Sequence, residues 1–244
     1  MPEQNGLENL ISQAAEKTLS NQMDEAEKIN IDVETNLLKI VQGQVDQVSL
    51  AGQGLVVQEH IRIQEIKLQT DSVTVNPLTA LFGQIELNEP VNAVARIVLT
   101  VVDINRALTS DFIRSQVKNL QLDVEGETVS FDLQDMQVFL PSDGKIGFTI
   151  HVLLKEIENT RQLDFTVVIH PRIQAQTFIL ESINFTQGEG ISIELILALI
   201  QKIKNLLKSP YFVWEDMALR VTDMQIKNDE VILMVEAHVR QIPT

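Results

Sequence analysis

Four histidines, His60, His151, His170 and His238, are the side chains best suited to acid–base or metal chemistry in this sequence. His151 and His170 flank a polar turn at 158–161, where antiparallel partners summing to about 320 would set them nearly opposite each other. With His238 nearby, that pair comes closest to a metal site. No ligand spacing accompanies it, so sheet-face histidines with ordinary hydrogen bonds are expected, with no metal and no cofactor. The 34 Asp and Glu residues are scattered, and their spacing singles out no general acid and base. The sequence has no G-x-S-x-G, H-E-x-x-H, P-loop or G-x-G-x-x-G motif, and no cysteine to act as nucleophile or ligand. No catalytic residue is expected, and the chain does not read as an enzyme. Asp103 and Arg106 suit a helix-start acid with a basic partner three residues on, a capping and ion-pair role rather than headgroup binding by Arg106. The triplet Asn184-Phe185-Thr186 reads as a chance glycosylation match, since no secretion signal precedes it.

A different chemistry belongs to QKIKNLLKSPYFVWEDM, residues 201–217. Lys202, Lys204 and Lys208 are followed by Tyr211 and Trp214, the only tyrosine and tryptophan, with Phe212 between them. Lysines beside amphipathic aromatics suit a water–lipid interface, where a ring is buried and its polar edge stays wet. The plainer reading is a helix C-terminus whose lysines complement the dipole, followed by aromatics packed under the next strand.

These residues need elements to position them. Leu7, Leu10, Ile11, Ala14, Leu19 and Met23 recur mostly at spacings of three and four, which predicts an amphipathic helix over 7–23. KINIDVET alternates, placing Ile29, Ile31 and Val33 on one strand face. QVDQVSLAG, IRIQEIKLQTDSVTV and NAVARIVLT read as further strands, and VDINRALTSDFIRSQV as helix, with a restart at Ser110 or Asp111. From 120 onward, turns at Glu125-Gly126-Glu127, Pro141-Ser142-Asp143-Gly144 and Glu158-Asn159-Thr160 separate apolar strands. A second amphipathic helix covers about 190–207, before two strands near 217–227 and 230–240 that turn at Asn228-Asp229. No linker interrupts the pattern. The expectation is one α+β domain over 1–244: a long twisted, mostly antiparallel β-sheet wrapped on two principal amphipathic helices.

Bulk properties narrow the partners. A hydrophobic fraction of 44% and a charged fraction of 22% are ordinary for a soluble globular chain. The net charge of −15 is spread evenly over both halves of the chain, so no basic face offers itself to nucleic acid. The N-terminus has no apolar run, and the greasiest segment, 191–207, is too short and too charged to span a bilayer. No signal peptide or transmembrane segment is expected, and the localisation expected is cytoplasmic, peripheral to the cytoplasmic face of a membrane.

One pattern is internal. NLLKIVQGQV at 36–45 recurs as NPLTALFGQI at 76–85, offset by 40 positions. Asn36 and Asn76 suit helix N-caps, Pro77 the first helical position, and Gly43 and Gly83 left-handed exits. Each copy is then a strand, a short apolar helical corner and a strand. Leu37, Leu38, Ile40 and Val41, like Leu78, Ala80, Leu81 and Phe82, must enter a core, line a cavity or touch lipid. These corners, in TVNPLTALFGQIEL followed by LTVVDINRAL, resemble the LmeA-like phospholipid-binding family, long catalogued as a bacterial domain of unknown function. The likeness runs over nearly the whole chain. It implies a twisted antiparallel sheet wrapped on helices, similar to the tubular lipid-binding superfamily, with acyl chains in an apolar groove.

The expected function is therefore non-catalytic binding, extending to transfer, of a phospholipid or similar fatty-acyl amphiphile. Groove-facing residues would be Leu10, Ile11 and Ala14 on the first helix, Leu81, Phe82 and Ile97, then Leu195, Leu199 and Ile203 on the second. Lys202, Lys204, Lys208, Tyr211 and Trp214 would meet headgroups in transient membrane-surface contact. The alternative is a structural or assembly protein with a solid core whose acidic surface docks a basic protein partner. The oligomeric state is left open.

Overall fold

The computed structural model describes residues 12–13, 15–17, 25–35, 38–39, 42–57, 61–76, 86–111, 114, 120–124, 126–141, 144–155, 160–171, 179–187, 192–207, 212–214 and 216–241; of 120, 187, 203–207 and 212–214 it describes the backbone alone. The chain divides into two compact units. One holds Met1–Leu99, Tyr211–Asp223 and Ile232–Thr244, and the other holds Thr100–Pro210 and Met224–Val231.

The first unit is built on β1 (Lys28–Glu34), β3 (Gln47–Val57), β4 (Ile61–Thr70) and β6 (Val91–Thr100). These continue into β14 (Glu230–Val239), β13 (Met217–Lys227) and β12 (Phe212–Trp214), giving a seven-stranded sheet in the order β1-β3-β4-β6-β14-β13-β12. β1 alternates as its sequence does: Ile31 and Val33 are buried while their neighbours are exposed. Its outer edge is covered at Ile31, whose backbone N–H donates to Glu16 Oε1 at 2.8 Å. Ser12–Gln13 and Ala15–Lys17 are helical, inside the helix expected over 7–23, and the rest of that helix lies outside the described residues. The final hairpin, whose tip Met224–Val231 belongs to the other unit, turns where expected. Asn228 and Asp229 both have positive φ, 53° and 62°, the backbone that a two-residue type I′ turn needs and that Asn and Asp tolerate.

The second unit holds α1 (Val101–Leu108), a five-stranded sheet and α2 (Ile193–Leu207). The sheet order is β11 (Ile179–Gln187), β10 (Thr160–His170), β9 (Ile146–Lys155), β8 (Glu127–Phe139) and β7 (Leu120–Val124), a meander of antiparallel neighbours. One sheet face is apolar, with Leu163, Phe165, Val167 and Ile169 of β10 beside Val152 and Leu154 of β9 and Phe131 and Val138 of β8, all buried. Helix α1 packs on β8 and α2 on β7. Thr100 caps α1: its hydroxyl accepts from Asp103 N at 3.1 Å and donates to the Asp103 carboxylate at 2.6 Å. Ser192 caps α2 by accepting from Leu195 N at 3.2 Å.

The antiparallel sheet expected from sequence is present, divided between these two sheets and a two-stranded piece, β2 (Gln44–Val45) with β5 (Val73–Thr74). Among the described residues the helices are α1, α2 and short stretches, so the second of the two expected principal helices is α2.

Candidate functional site

The registers of the seven-stranded sheet set apolar rows side by side. Ile29 faces Gly52, Gly52 faces Ile66, and Ile66 faces Ile97. The next row is Ile31, Leu50, Leu68 and Ala95. Ile31 and Ala95 are buried, whereas Ile29, Leu50, Ile66, Leu68 and Ile97 keep part of their surface accessible. Gly54, at φ +60°, interrupts the alternation of β3, so that Leu55 fills the space above Gly52; a Cβ there would lie 2.7 Å from Leu55 Cδ1.

The reverse face of the same strands is polar. Its rows are Asn30, Ala51, Lys67 and Arg96, then Asp32, Ser49, Gln69 and Val94. Glu65 accepts Lys67 Nζ at 3.0 Å and Arg96 Nη1 at 3.3 Å. An open depression of about 370 Å³ crosses these rows, with Asp32, Lys67, Arg96 and Met234 on its lining. A second, of about 400 Å³, is lined by Glu25, Glu27, Gly54 and Arg62, where Arg62 Nη2 donates to Glu27 Oε1 at 2.7 Å. Both are open and rimmed by charged side chains.

The expected site residues divide as follows. Ile97 stands in the first apolar row of the sheet. Leu195 and Leu199, each 4% exposed, lie on the buried side of α2, and burial is what a packed residue and the wall of a cavity share. Ile193 and Leu197, on the other side of the helix, are 70% and 60% exposed. Lys202 is half-buried, and Ile203 and Lys204 are placed by backbone in the last turns of α2, as is Trp214 in β12. Leu10, Ile11, Ala14, Leu81, Phe82, Lys208 and Tyr211 lie outside the described residues. No described helix is long and apolar enough to cross a membrane.

His151, His170 and His238 make ordinary hydrogen bonds on their strands, but His151 and His170 do not face each other. His151 faces Asp164, and Nδ1 lies 3.0 Å from Asp164 Oδ1; His170 has no partner position on β9. The β9–β10 pairing starts at Lys155 and Thr160, so partners sum to 315 rather than about 320, and His151 meets a residue six positions before His170. His238 instead lies 2.9 Å from Asn92 Oδ1. Among the described residues no group of three or more His, Asp or Glu side chains is arranged to hold a metal ion. Hydrogen bonding from His151, aided by the Gln162 amide at 3.2 and 3.3 Å, holds the Asp164 carboxyl below the usual carboxylate range against the upward push of burial.

The exit of the first corner pairs with the strand that leads to the second, whose residues 77–85 lie outside the described residues. Gly43, at φ 71°, makes the left-handed exit foreseen for it, and Val75 N donates to its carbonyl at 2.8 Å. β2, leaving the first corner, pairs with β5, entering the second. Leu38, on the first corner, is 79% exposed. Residues 3–236 match the LmeA-like phospholipid-binding family. The chain belongs to that family. No curated protein and no solved structure matches the chain. In this LmeA-like chain, DINRAL also contains an anchoring residue that sequence reasoning missed. Asn105 Nδ2 donates to Val138 O at 2.9 Å, and its Oδ1 accepts from Val138 N at 2.6 Å. The amide stands in for a strand residue along β8, beyond Phe131, where β7 no longer pairs. The available signal was an asparagine inside a helix, where its competing hydrogen bonds make it a poor choice unless they are used.

Proposed function

We propose that this LmeA-like chain binds a phospholipid or similar amphiphile without converting it, acts over 1–244 as one functional domain, and passes the lipid to or from a membrane surface. The observation that carries the reading is the family match over nearly the whole chain. The part-accessible row of Ile29, Ile66 and Ile97 supports it, as an apolar floor against which an acyl chain would be shielded. The driving force is apolar burial: at ~0.8 kcal/mol per methylene, one long chain gains on the order of 10 kcal/mol before ordering costs.

Native mass spectrometry of the protein purified from its own host is expected to show a co-purifying mass of lipid size. Delipidated protein is expected to take up a fluorescent fatty acid. A clean apo mass with no uptake would overturn the reading and favour the assembly protein with a solid core.

A further inference from the structure

The polar face of the seven-stranded sheet dips where small side chains stand between larger ones. Along one cross-strand row, Ala51 of β3 lies between Asn30 of β1 and Lys67 of β4, with Arg96 of β6 beside Lys67. Ser49 is the small member of the next row. The depression above them measures about 370 Å³. Val94, 50% exposed, and the half-buried Met234 give part of its lining an apolar surface.

Charge is unbalanced on one side of this space. Lys67 Nζ and Arg96 Nη1 lie against the same oxygen, Glu65 Oε1, at 3.0 and 3.3 Å. Two cations on one carboxylate leave a surplus of one positive charge. Among the described residues Glu65 is the ion-pair partner of both, and it takes one of the five N–H donors of the Arg96 guanidinium. Asp32, the acid on the lining, does not cancel the surplus. It stands on β1, two strands from Lys67, and the Lys67 ammonium is drawn to Glu65, on the far side of its row from Asp32. At about 4.8 Å per strand the two positions are roughly 10 Å apart, beyond the roughly 8 Å over which exposed charges act in physiological salt.

We propose that this depression binds a singly charged oxyanion joined to a small apolar body, with Lys67 and Arg96 on its oxygens and Val94 and Met234 against the apolar part. An arginine fork with a lysine point charge beside it suits an oxyanion, and one negative charge balances the surplus. The site lies on the face opposite the row of Ile29, Ile66 and Ile97, so it is separate from the proposed acyl-chain floor and does not depend on it. A lipid headgroup phosphodiester and a small free anion share this chemistry.

Isothermal titration calorimetry of the delipidated full chain tests it with two soluble phosphodiesters: dimethyl phosphate, and dihexanoylphosphatidylglycerol kept below its micellar concentration. Wild type is expected to bind, and to bind more weakly as salt is raised. The K67Q/R96Q variant is expected to bind at least about tenfold more weakly, because charge-assisted hydrogen bonds are lost, with a melting temperature close to that of wild type. Ala51→Trp keeps both cations but fills the depression, and the same loss is expected. Tighter binding of the lipid probe assigns the site to a headgroup, and equal binding of the two probes assigns it to a free oxyanion. Wild type that binds neither probe overturns the proposal, as does either variant binding both probes like wild type. Native mass spectrometry of protein purified from its host keeps the two readings apart. Protein that contains lipid but, once delipidated, binds neither probe defeats this site alone, and protein that binds the probes but contains no lipid defeats carriage alone.

Discussion

Asp164 lies in the middle of β10 between Leu163 and Phe165, each 1% exposed, and its own side chain is 11% exposed. A carboxylate in such a place has to be hydrogen-bonded, and His151 and Gln162 supply the bonds. The direction of its titration fixes how stability depends on pH. A folded-state value held below the unfolded one, about 3.9 for Asp, contributes stability that is fully present above the unfolded value. That contribution is lost as pH falls through the folded one. Urea midpoints measured from neutral pH downward are therefore expected to fall more steeply for wild type than for Asp164→Asn below about pH 4. Equal slopes would mean that the His151 contact leaves the carboxyl unperturbed. This pair was invisible in the sequence for a definable reason. Alternation tells which face a side chain takes but not its partner, because partner choice depends on where the turn closes. The polar Glu158-Asn159-Thr160 drew the turn too late and matched His151 with the wrong neighbour.

At the scale of elements, sequence pattern and structure agree where one local rule decides. The alternation of β1, the type I′ turn at Asn228-Asp229 and the extent of α2 each follow from a single rule of this kind. They part where two distant segments must find each other. Nothing in DINRAL says that Asn105 will pair with the backbone of Val138, 33 residues away. Asn105→Ala would leave the buried N–H and C=O of Val138 without these partners, at a cost of about 1–3 kcal/mol. The expected signature is local as well as global. The Val138 amide should exchange with deuterium faster than those of Val152 and Leu163, and urea unfolding should shift to lower concentration. Retained protection at Val138 would show that the helix is not anchored through this amide. The candidate groove was legible to the same degree. The pattern placed Ile97, Leu195 and Leu199 on apolar faces, but what covers a face is set by other segments.

For the whole molecule, the question is whether its apolar faces are spent on packing or partly reserved for a ligand. A 244-residue chain can bury a sufficient core without using every apolar side chain, and Ile193, Leu197 and Leu38 stand in solvent. Ile97 in the seven-stranded sheet and Leu199 in α2 probe the question separately, because each lies in a different unit. A tryptophan adds bulk at either place. If the position lines space kept for an acyl chain, the added ring takes that space, so uptake of a fluorescent fatty acid is lost while the melting temperature is kept. If the position is packed by the protein's own side chains, overpacking costs about 1–3 kcal/mol and the melting temperature falls. The proposed function expects the first result for both Ile97→Trp and Leu199→Trp. Thermal unfolding and uptake measured on the same preparations decide it. Destabilised variants that still take up lipid would move the binding surface away from these faces.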